Sequence, residues 1–282
     1  MYNIAIITPV KNEIDNLPKL FGSMEKQTIK IFSWVLIDND SNDGSEEYLL
    51  NIHKIKNIEY FHLLHMSFED KSYQLGMKYS SIIKYGFNFL KSMDYYDKLN
   101  FIGILDSDCF PECNYYEKLS NFMIKDKNIG IASGILLLEN GERGYCNKDH
   151  VRGSGRLWKK KCFDESGYYI GISADSISRI KAILKGWEAK VDNESIFISR
   201  EVNSRISTEY KGVSSYYNGF TLLYVLAKSI INICRKSNEG YLLLRGYMKC
   251  KINRMPKNND SEIIEYNRHQ IIRKIKKYIK YI

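Results

Sequence analysis

The chain alternates short apolar runs with segments of helical periodicity, and this alternation restricts it to a small set of folds. Apolar runs rich in β-branched residues occupy residues 3–8, 32–37, 58–61, 101–105 and 129–138. Between them, apolar side chains recur every three or four residues, as in LPKLFGSM from residue 17 to 24. The pattern predicts an α/β protein whose mostly parallel central sheet is flanked by helices.

Polar clusters follow three of the predicted strands, at the point where each strand ends. They read TPVKNE from residue 8, DNDSNDGS from residue 38 and DSD from residue 106. In open α/β sheets, ligands bind outside the carboxyl ends of the strands. We therefore expect these three clusters, although far apart in sequence, to line one site.

The DSD cluster places two carboxylates, Asp106 and Asp108, one residue apart. Like charges this close raise each other's pKa unless a cation lies beside them. Oxygen ligands of this kind suit Mg²⁺ or Mn²⁺, which bind through one or two carboxylates and substrate phosphates. The alternative is a polar turn at the end of a strand, because Asp is common in turns.

Length, cysteines and charge narrow the class of protein. A chain of 282 residues can bury one sizeable core and carry an appended subdomain. Six irregularly spaced cysteines and no N-terminal targeting pattern favour free thiols in a cytoplasmic protein. The net charge is +9, and six of the basic residues lie in the acid-free tail from Arg268. The body is only mildly basic, which argues against a nucleic-acid partner.

The C-terminal third changes in character. A long apolar stretch, YYNGFTLLYVLAKSIINIC, begins at Tyr216, and the tail 268–282 pairs an isoleucine stripe with lysines. We predict a domain at 1–212 and a helical extension at 213–282. The apolar stretch contains Lys228, so a buried or interfacial helix is favoured over a spanning one. The tail either lies on an anionic membrane, as a peripheral contact at its inner face, or packs against the main domain.

Four segments together resemble family 2 glycosyltransferases of the GT-A fold. They are IAIITPVKNE, VLIDNDSNDGS, ILDSD and ISADSISRIKAILKGWEA, and they occur in the family's order and approximate spacing over residues 3–191. The resemblance implies inverting transfer of a sugar from a nucleotide-sugar donor, with uridine as the base. The acceptor would be a hydroxyl of a glycan or a lipid-linked saccharide.

The resemblance also implies roles for single residues. The nucleoside pocket would be formed by Thr8, Pro9, Glu13, Asp38 and Asp43. Asp106 and Asp108 match the DxD motif that holds a divalent metal, with Asp106 also contacting substrate, and Lys71 lies in a region used beside the diphosphate. The alternatives are structural, since Asp43 and its neighbours can cap a helix and Glu13 can stabilise a helix N-terminus.

The catalytic base falls on Asp175 by the same resemblance. Many relatives carry an acidic pair there, whereas this chain has Ala174 in the first position. Asp175 also begins a predicted helix, so it can act as an N-cap instead. Asp164 and Glu165 are the alternative bases.

A glycine-rich basic segment follows Glu139 and is predicted to be mobile over the site. Within it, Arg152 and Arg156 suit phosphate, and Trp158 offers a ring face to sugar C–H groups. The alternative is a charged surface loop with one buried tryptophan.

Two other function classes stay open. A sugar-phosphate nucleotidyltransferase uses a related sheet but usually carries a glycine-rich basic loop after its first strand, which TPVKNEIDN lacks. A non-catalytic, membrane-peripheral binding protein would keep the fold and lose the chemistry. The absence of an acid at position 174 is the reason to consider it.

Overall fold

A computed structural model describes residues 2–52, 55–69, 76–144, 150–199, 207–234 and 238–273. The chain divides into two compact units. The first comprises Met1–Ile170 with Ala174–Glu201, and the second comprises Gly171–Ser173 with Val202–Ile282. The functional division into 1–212 and 213–282 stays a prediction, and the compact units part about ten residues earlier.

In its described residues, the first unit is built on an eight-stranded sheet of order β3-β2-β1-β4-β7-β6-β8-β5. The strands are β1 (Ile4–Val10), β2 (Ile31–Asp38), β3 (Ile58–His65), β4 (Phe101–Ile104), β5 (Cys109–Pro111), β6 (Ile129–Leu138), β7 (Arg156–Lys159) and β8 (Glu188–Ser199). β1 pairs in parallel with both β2 and β4, β2 with β3, and β6 with β8. β7 is antiparallel to its neighbours β4 and β6, and β5 is antiparallel to β8.

Helices cover both faces of this sheet, which explains why its central strands are apolar throughout. The helices are α1 (Leu17–Glu25), α2 (Ser45–Leu50), α3 (Met77–Ser92), α4 (Tyr115–Lys125), α5 (Lys160–Ser166) and α6 (Ala174–Leu184). Along β2, Trp34 and Leu36 join the core on one face while Val35 and Ile37 join the core on the other. Successive strand side chains point to opposite faces, so a strand covered on both sides reads as a continuous hydrophobic run.

The segment predicted to be mobile is ordered in part, which corrects the prediction for its C-terminal half. Residues 156–159 form β7, inserted antiparallel between β4 and β6, and residues 160–166 form α5. The strand has only four residues and is flanked by glycine and lysine, so its sequence is too short to show the alternation that indicates a strand. Residues 145–149 of the segment lie outside the described residues.

The second unit is helical in its described part. Its helices are α7 (Thr208–Tyr217), α8 (Leu222–Cys234), α9 (Glu239–Ile252) and α10 (Ser261–Arg268). α9 packs closely on α7, where a Cβ on Gly246 would lie 1.9 Å from the backbone oxygen of Glu209. Among the described residues, no helix has the length and apolar character needed to cross a bilayer. The tail beyond residue 273 lies outside the described residues.

Gly134 of β6 tests how tightly the sheet is packed. A Cβ at this position would lie 2.1 Å from the backbone oxygen of Ser195, beside a register shift between β6 and β8. We expect Gly134→Ala to lower the free energy of unfolding by about 2 kcal/mol or more, because neighbouring backbone must move. The control is Gly22→Ala in α1, which meets nothing within 4 Å and should raise stability by about 0.5–1 kcal/mol. Urea denaturation of both variants measures this, and equal stabilities would contradict it.

Candidate active site

The carboxyl ends of four neighbouring strands bring the polar clusters to one edge of the sheet. Val10 of β1 is paired with Asp38 of β2, and Asp38 is paired with His65 of β3. On the other side of β1, Ile7 is paired with Ile104 of β4, two residues before Asp106. The convergence expected from the sequence is therefore present in the sheet register.

Asp38 presents an acceptor that nothing in the described part of the chain uses. The side chain is 2% exposed, and its Oδ2 accepts a hydrogen bond from the backbone N–H of Ser41 at 3.1 Å. Its Oδ1 is buried and has no hydrogen-bond partner among the described residues. Because a buried carboxylate oxygen without a donor is costly, the site is suited to a ligand that brings an N–H or O–H.

The loops after β1 and β2 are tied together by side-chain hydrogen bonds. The backbone N–H groups of Asn12 and Glu13 donate to Ser41 Oγ and Ser45 Oγ at 3.0 and 2.9 Å. Asp43 accepts from the N–H of Ile14 at 3.0 Å and from that of Ser45 at 3.0 Å. These contacts give the edge of the site a fixed shape.

The pKa of the Asp43 carboxyl lies below its ordinary value. Partial burial raises it, but the hydrogen bonds from Ser45 and the Ile14 backbone together outweigh that effect. Asp43 therefore stays ionised while it holds the two loops together. Its contact with a nucleoside, like that of the buried Glu13, stays a prediction.

Thr8 is placed differently from its prediction. The side chain is fully buried, and its Oγ1 accepts a hydrogen bond from Trp34 Nε1 at 2.9 Å inside the core. Pro9 is buried within β1 beside it. The prediction that Thr8 lines the nucleoside pocket is corrected: its hydroxyl supports β2 from within the core.

His65 is a site residue that the sequence argument missed. Its Nδ1 lies 3.7 Å from Asp38 Oδ2 and 3.4 Å from Glu46 Oε1, and its Nε2 lies 3.2 Å from Asp40 Oδ1. Ligand atoms of Asp38, Glu46 and His65 fall within 4.8 Å of one another. The available signal was the alignment of β3 beside β2, which places the last residue of one strand against the last residue of the other.

Asp106 makes one hydrogen bond through its side chain and one through its backbone, and two like charges lie near it. Tyr79 OH donates to its Oδ1 at 2.6 Å, and its own backbone N–H donates to Ser154 Oγ at 2.8 Å. Burial and the nearby charge of Asp108 raise the pKa of Asp106 to about 7, with a smaller effect from Asp175. Tyr79 and Ser154, neither found from the sequence, act against this increase by stabilising the ionised form.

The chemistry of this cluster fits a hard divalent cation. Ligand atoms of Asp106, Asp108 and Cys109 lie within 4.8 Å of one another. Burial raises the pKa of the Cys109 thiol well above its usual value, so without a bound metal the sulfur stays protonated, and a thiol is a weaker metal ligand than a thiolate. The carboxylate oxygens that remain suit Mg²⁺ or Mn²⁺ better than zinc.

Asp175 lies in the first turn of α6, close to the metal-capable pair. A Cβ on Gly153 would lie 2.3 Å from Asp175 Oδ2, so the carboxylate packs directly on that glycine. Its Oδ1 is buried without a hydrogen-bond partner among the described residues. The charge of Asp175 raises the pKa of Tyr79, after the larger effects of burial and Asp106, and that of Tyr168, after the larger effect of burial.

The alternative bases are engaged elsewhere, on α5. Asp164 accepts from Tyr96 OH at 2.6 Å and from Lys160 Nζ at 2.8 Å. Glu165 accepts from Trp187 Nε1 at 2.7 Å. Asp175 is thus the carboxylate among these three with an unused buried oxygen.

Two predicted ligand contacts are corrected by burial. The ring of Trp158 is fully buried and packs edge-on against Phe87 and Phe163, so its face is not available to a sugar. Arg156 is 1% exposed, and its guanidinium donates to backbone carbonyl groups rather than to a phosphate site. These acceptors are the carbonyl oxygens of Val151, Arg152 and Asp175.

The remaining basic candidates stay predictions. Arg152 is half-buried, and its guanidinium donates to the carbonyl oxygen of Gly144 at 3.2 Å. Lys71 lies outside the described residues.

Comparisons with known proteins agree with this geometry. Residues 5–81 match the model of glycosyl transferase family 2. No curated protein matches the sequence. Solved structures of S. aureus TarS are similar in fold, including TarS 1-349 in complex with UDP-GlcNAc and with UDP, each with a TM-score of 0.55 at 13% identity. The match to the UDP-GlcNAc complex covers 91% of this chain and 74% of the TarS chain. The match to the UDP complex covers 89% and 72%.

A longer TarS structure matches with a TM-score of 0.54 at 15% identity, over 76% of this chain. This chain spans 39% of the length of that TarS chain. At such identities the likeness shows the fold alone, and the family model adds a matching sequence pattern over residues 5–81. The predicted family 2 resemblance and GT-A fold are confirmed, and the comparisons support a glycosyltransferase.

The raised pKa of Asp106 predicts how stability depends on pH without metal. A carboxyl whose pKa rises from 3.8 to about 7 on folding adds stability below about pH 4, and that stability is lost as pH rises through 7. Asparagine does not titrate, so between acidic and alkaline pH the stability of Asp106→Asn should rise by about 4 kcal/mol relative to wild type.

Thermal unfolding in EDTA across this pH range measures the difference. The control is Asp97→Asn, whose carboxylate is 94% exposed and should give parallel curves. A constant difference between wild type and Asp106→Asn at all pH values would contradict the assigned pKa.

Proposed function

We propose that this family 2 glycosyltransferase moves a sugar from a UDP-linked donor, with inversion, to a hydroxyl of a glycan or a lipid-linked saccharide. The carrying observation is the shared sheet edge of Asp38, Asp106 and Asp108, with Asp175 beside them. Transfer from a nucleotide sugar needs three parts of the site in order along the donor. These are a site for the nucleoside, a group that neutralises the diphosphate, and a catalytic base near the sugar. The UDP and UDP-GlcNAc complexes of TarS support a uridine donor.

The nucleoside end of the donor is assigned to the β1 and β2 ends. Asp38 Oδ1 accepts an N–H of the base or a ribose hydroxyl, which supplies the donor that this buried oxygen lacks. Glu13 and Asp43 frame the pocket through the tied loops. His65, held among three carboxylates, closes its outer side.

The diphosphate is assigned to Asp106 and Asp108. These two carboxylates would hold Mg²⁺ or Mn²⁺, which would supply Lewis-acid neutralisation of the charge on the departing diphosphate. Tyr79 and Ser154 orient Asp106 for this purpose by hydrogen bonding. Arg152 and Lys71 are the cations proposed to contact the phosphates directly.

Proton transfer is assigned to Asp175. Inverting transfer requires a carboxylate to accept the proton of the acceptor hydroxyl as that oxygen attacks the anomeric carbon. Asp175 Oδ1 is unused by the described residues, and the carboxylate lies near Asp106, as a base beside the leaving group must. The acceptor end of the site therefore lies on the α6 side.

We assign the enzyme to the cytoplasm, in peripheral contact with the inner face of the membrane when the acceptor is lipid-linked. The basic residues of the C-terminal region support this location, since anionic headgroups attract such segments.

Release of nucleoside diphosphate from a panel of sugar nucleotides tests the proposed function. We expect release with Mn²⁺ or Mg²⁺ and its loss in EDTA. Asp108→Asn should lower the rate by about 100-fold or more, because a carboxylate that neutralises the leaving group is lost. Asp97→Asn is the matched surface control. Wild-type, metal-independent release by Asp106→Ala with Asp108→Ala would reject the metal role, and no release from any donor would favour a non-catalytic binding protein.

The base assignment gives a separate prediction. Asp175→Asn should lower kcat by about 10²–10⁴-fold while leaving UDP affinity unchanged, because the amide cannot accept the proton. Asp164→Asn is the control, since its carboxylate is bound to Tyr96 and Lys160. Steady-state transfer and calorimetric UDP binding measure the two quantities. Normal turnover in Asp175→Asn together with loss in Asp164→Asn would move the base to Asp164.

A further inference from the structure

The outer side of α8 is apolar, which is unusual for a surface helix. Leu223, Ile230, Ile231 and Ile233 are 68%, 59%, 53% and 54% exposed, and we call these four residues the α8 face. An ordinary surface helix turns its polar residues outward. Contiguous exposed apolar side chains of this kind mark a docking surface.

The packing of α8 fixes which side is exposed. The helix buries Val225 and Ser229, and it contacts α9 closely, since a Cβ on Gly240 would lie 2.3 Å from the backbone oxygen of Ser229. The small residues Ser229 and Gly240 allow this approach. The polar residue is thus used on the packed side, and the isoleucines remain outside.

The positive charge of the chain is concentrated in the same unit. Residues 202–282 hold sixteen lysines and arginines against five acidic residues, a net charge of +11 in a chain whose total is +9. No acidic residue occurs between Glu209 and Glu239. The exposed basic side chains of α8, of α9 and of the segment after it are Lys228, Arg245, Lys249, Lys251, Arg254 and Lys257.

We propose that the α8 face docks on the surface of an anionic lipid bilayer. An apolar helix side in a strongly basic unit matches a membrane interface, where apolar side chains enter the acyl boundary and cations meet lipid phosphates. With 13 residues, α8 is about 20 Å long, which is too short to cross a hydrocarbon core of about 30 Å. The helix therefore lies in the plane of the membrane.

A second copy of this chain is the main competing occupant, and charge disfavours it. A two-fold dimer brings the same surface of both copies together. Here that would also bring two sets of basic side chains together with few acids nearby. An anionic bilayer buries the same apolar face and neutralises the charge instead. The proposal deepens the proposed function by naming a docking surface for it, but lipid binding does not require transfer activity.

Vesicle sedimentation of the full chain tests the proposal. The probes are vesicles of phosphatidylcholine alone and of phosphatidylcholine with phosphatidylglycerol in a ratio of three to one. We expect binding to the mixed vesicles and weak binding to the neutral ones. For Leu223→Gln with Ile230→Gln, the apparent affinity for the mixed vesicles should fall by about tenfold or more. Leu50→Gln with Leu184→Gln, exposed leucines of the first unit, is the matched control and should bind as wild type.

A depth measurement keeps the test independent of those substitutions. Cys234 ends α8 and is exposed, whereas Cys113 is exposed in the first unit. A fluorophore at Cys234, with Cys113 and Cys146 replaced by serine, should be quenched by brominated lipids, and one at Cys113 in the matched variant should not. Equal quenching at both sites would overturn the proposal.

Other outcomes also decide against the membrane. If wild type ignores anionic vesicles, or if it is a dimer that Leu223→Gln with Ile230→Gln converts to monomer, the occupant is not a bilayer. Calorimetric UDP binding is measured on the same samples. If wild type binds UDP but not vesicles, the α8 proposal is wrong and the proposed function is unaffected. If wild type neither binds UDP nor releases it from a donor, the proposed function is wrong.

Discussion

The carboxylates at one edge of the sheet repel one another, and the arrangement of the candidate site depends on this repulsion. Parallel pairing of β1 with β2 and β4 brings Asp38 and Asp106 to the same edge, and Asp108 and Asp175 add charge beside Asp106. The protein supplies hydrogen-bond donors there but no ammonium or guanidinium contact to Asp106 in its described part. Tyr79 holds one oxygen of Asp106, and the carboxyl still has a pKa raised to about 7. Such a site is stable when a cation arrives and strained before it does.

Arg156 has a different part in this electrostatic arrangement from the one its sequence context indicates. A buried guanidinium is costly unless its N–H groups are satisfied, and here three backbone carbonyls satisfy them. One of the three belongs to Asp175, so the same contacts join the loop before β7 to the first turn of α6. Gly153 in that loop lets the Asp175 carboxylate approach closely. The loop and the helix are thereby fixed together, which positions Asp175 without using the charge of Arg156 on a ligand.

The parts of the fold that follow local periodicity could be predicted from the sequence. The strands at Ile129–Leu138 and Phe101–Ile104 and the helix at Leu17–Glu25 follow from apolar spacing, and the strand ends then located Asp38 and Asp106. β7 could not be found, because four residues between glycine and lysine show no period, and its place depends on antiparallel partners far away in sequence. Trp158 was misassigned for the same reason. His65 and Tyr79 were missed because their roles come from lateral pairing and helix packing, which no local pattern records.

The two units differ in charge in a way that fits a division of work. Residues 202–282 carry a net charge of +11, whereas the whole chain carries +9. The other residues therefore include slightly more acidic than basic side chains. α8 presents isoleucines where a solvated helix would present lysines, while its packed side carries Ser229. Burial of that face against a bilayer would hold the protein at the membrane, where the proposed lipid-linked acceptor diffuses in two dimensions rather than three.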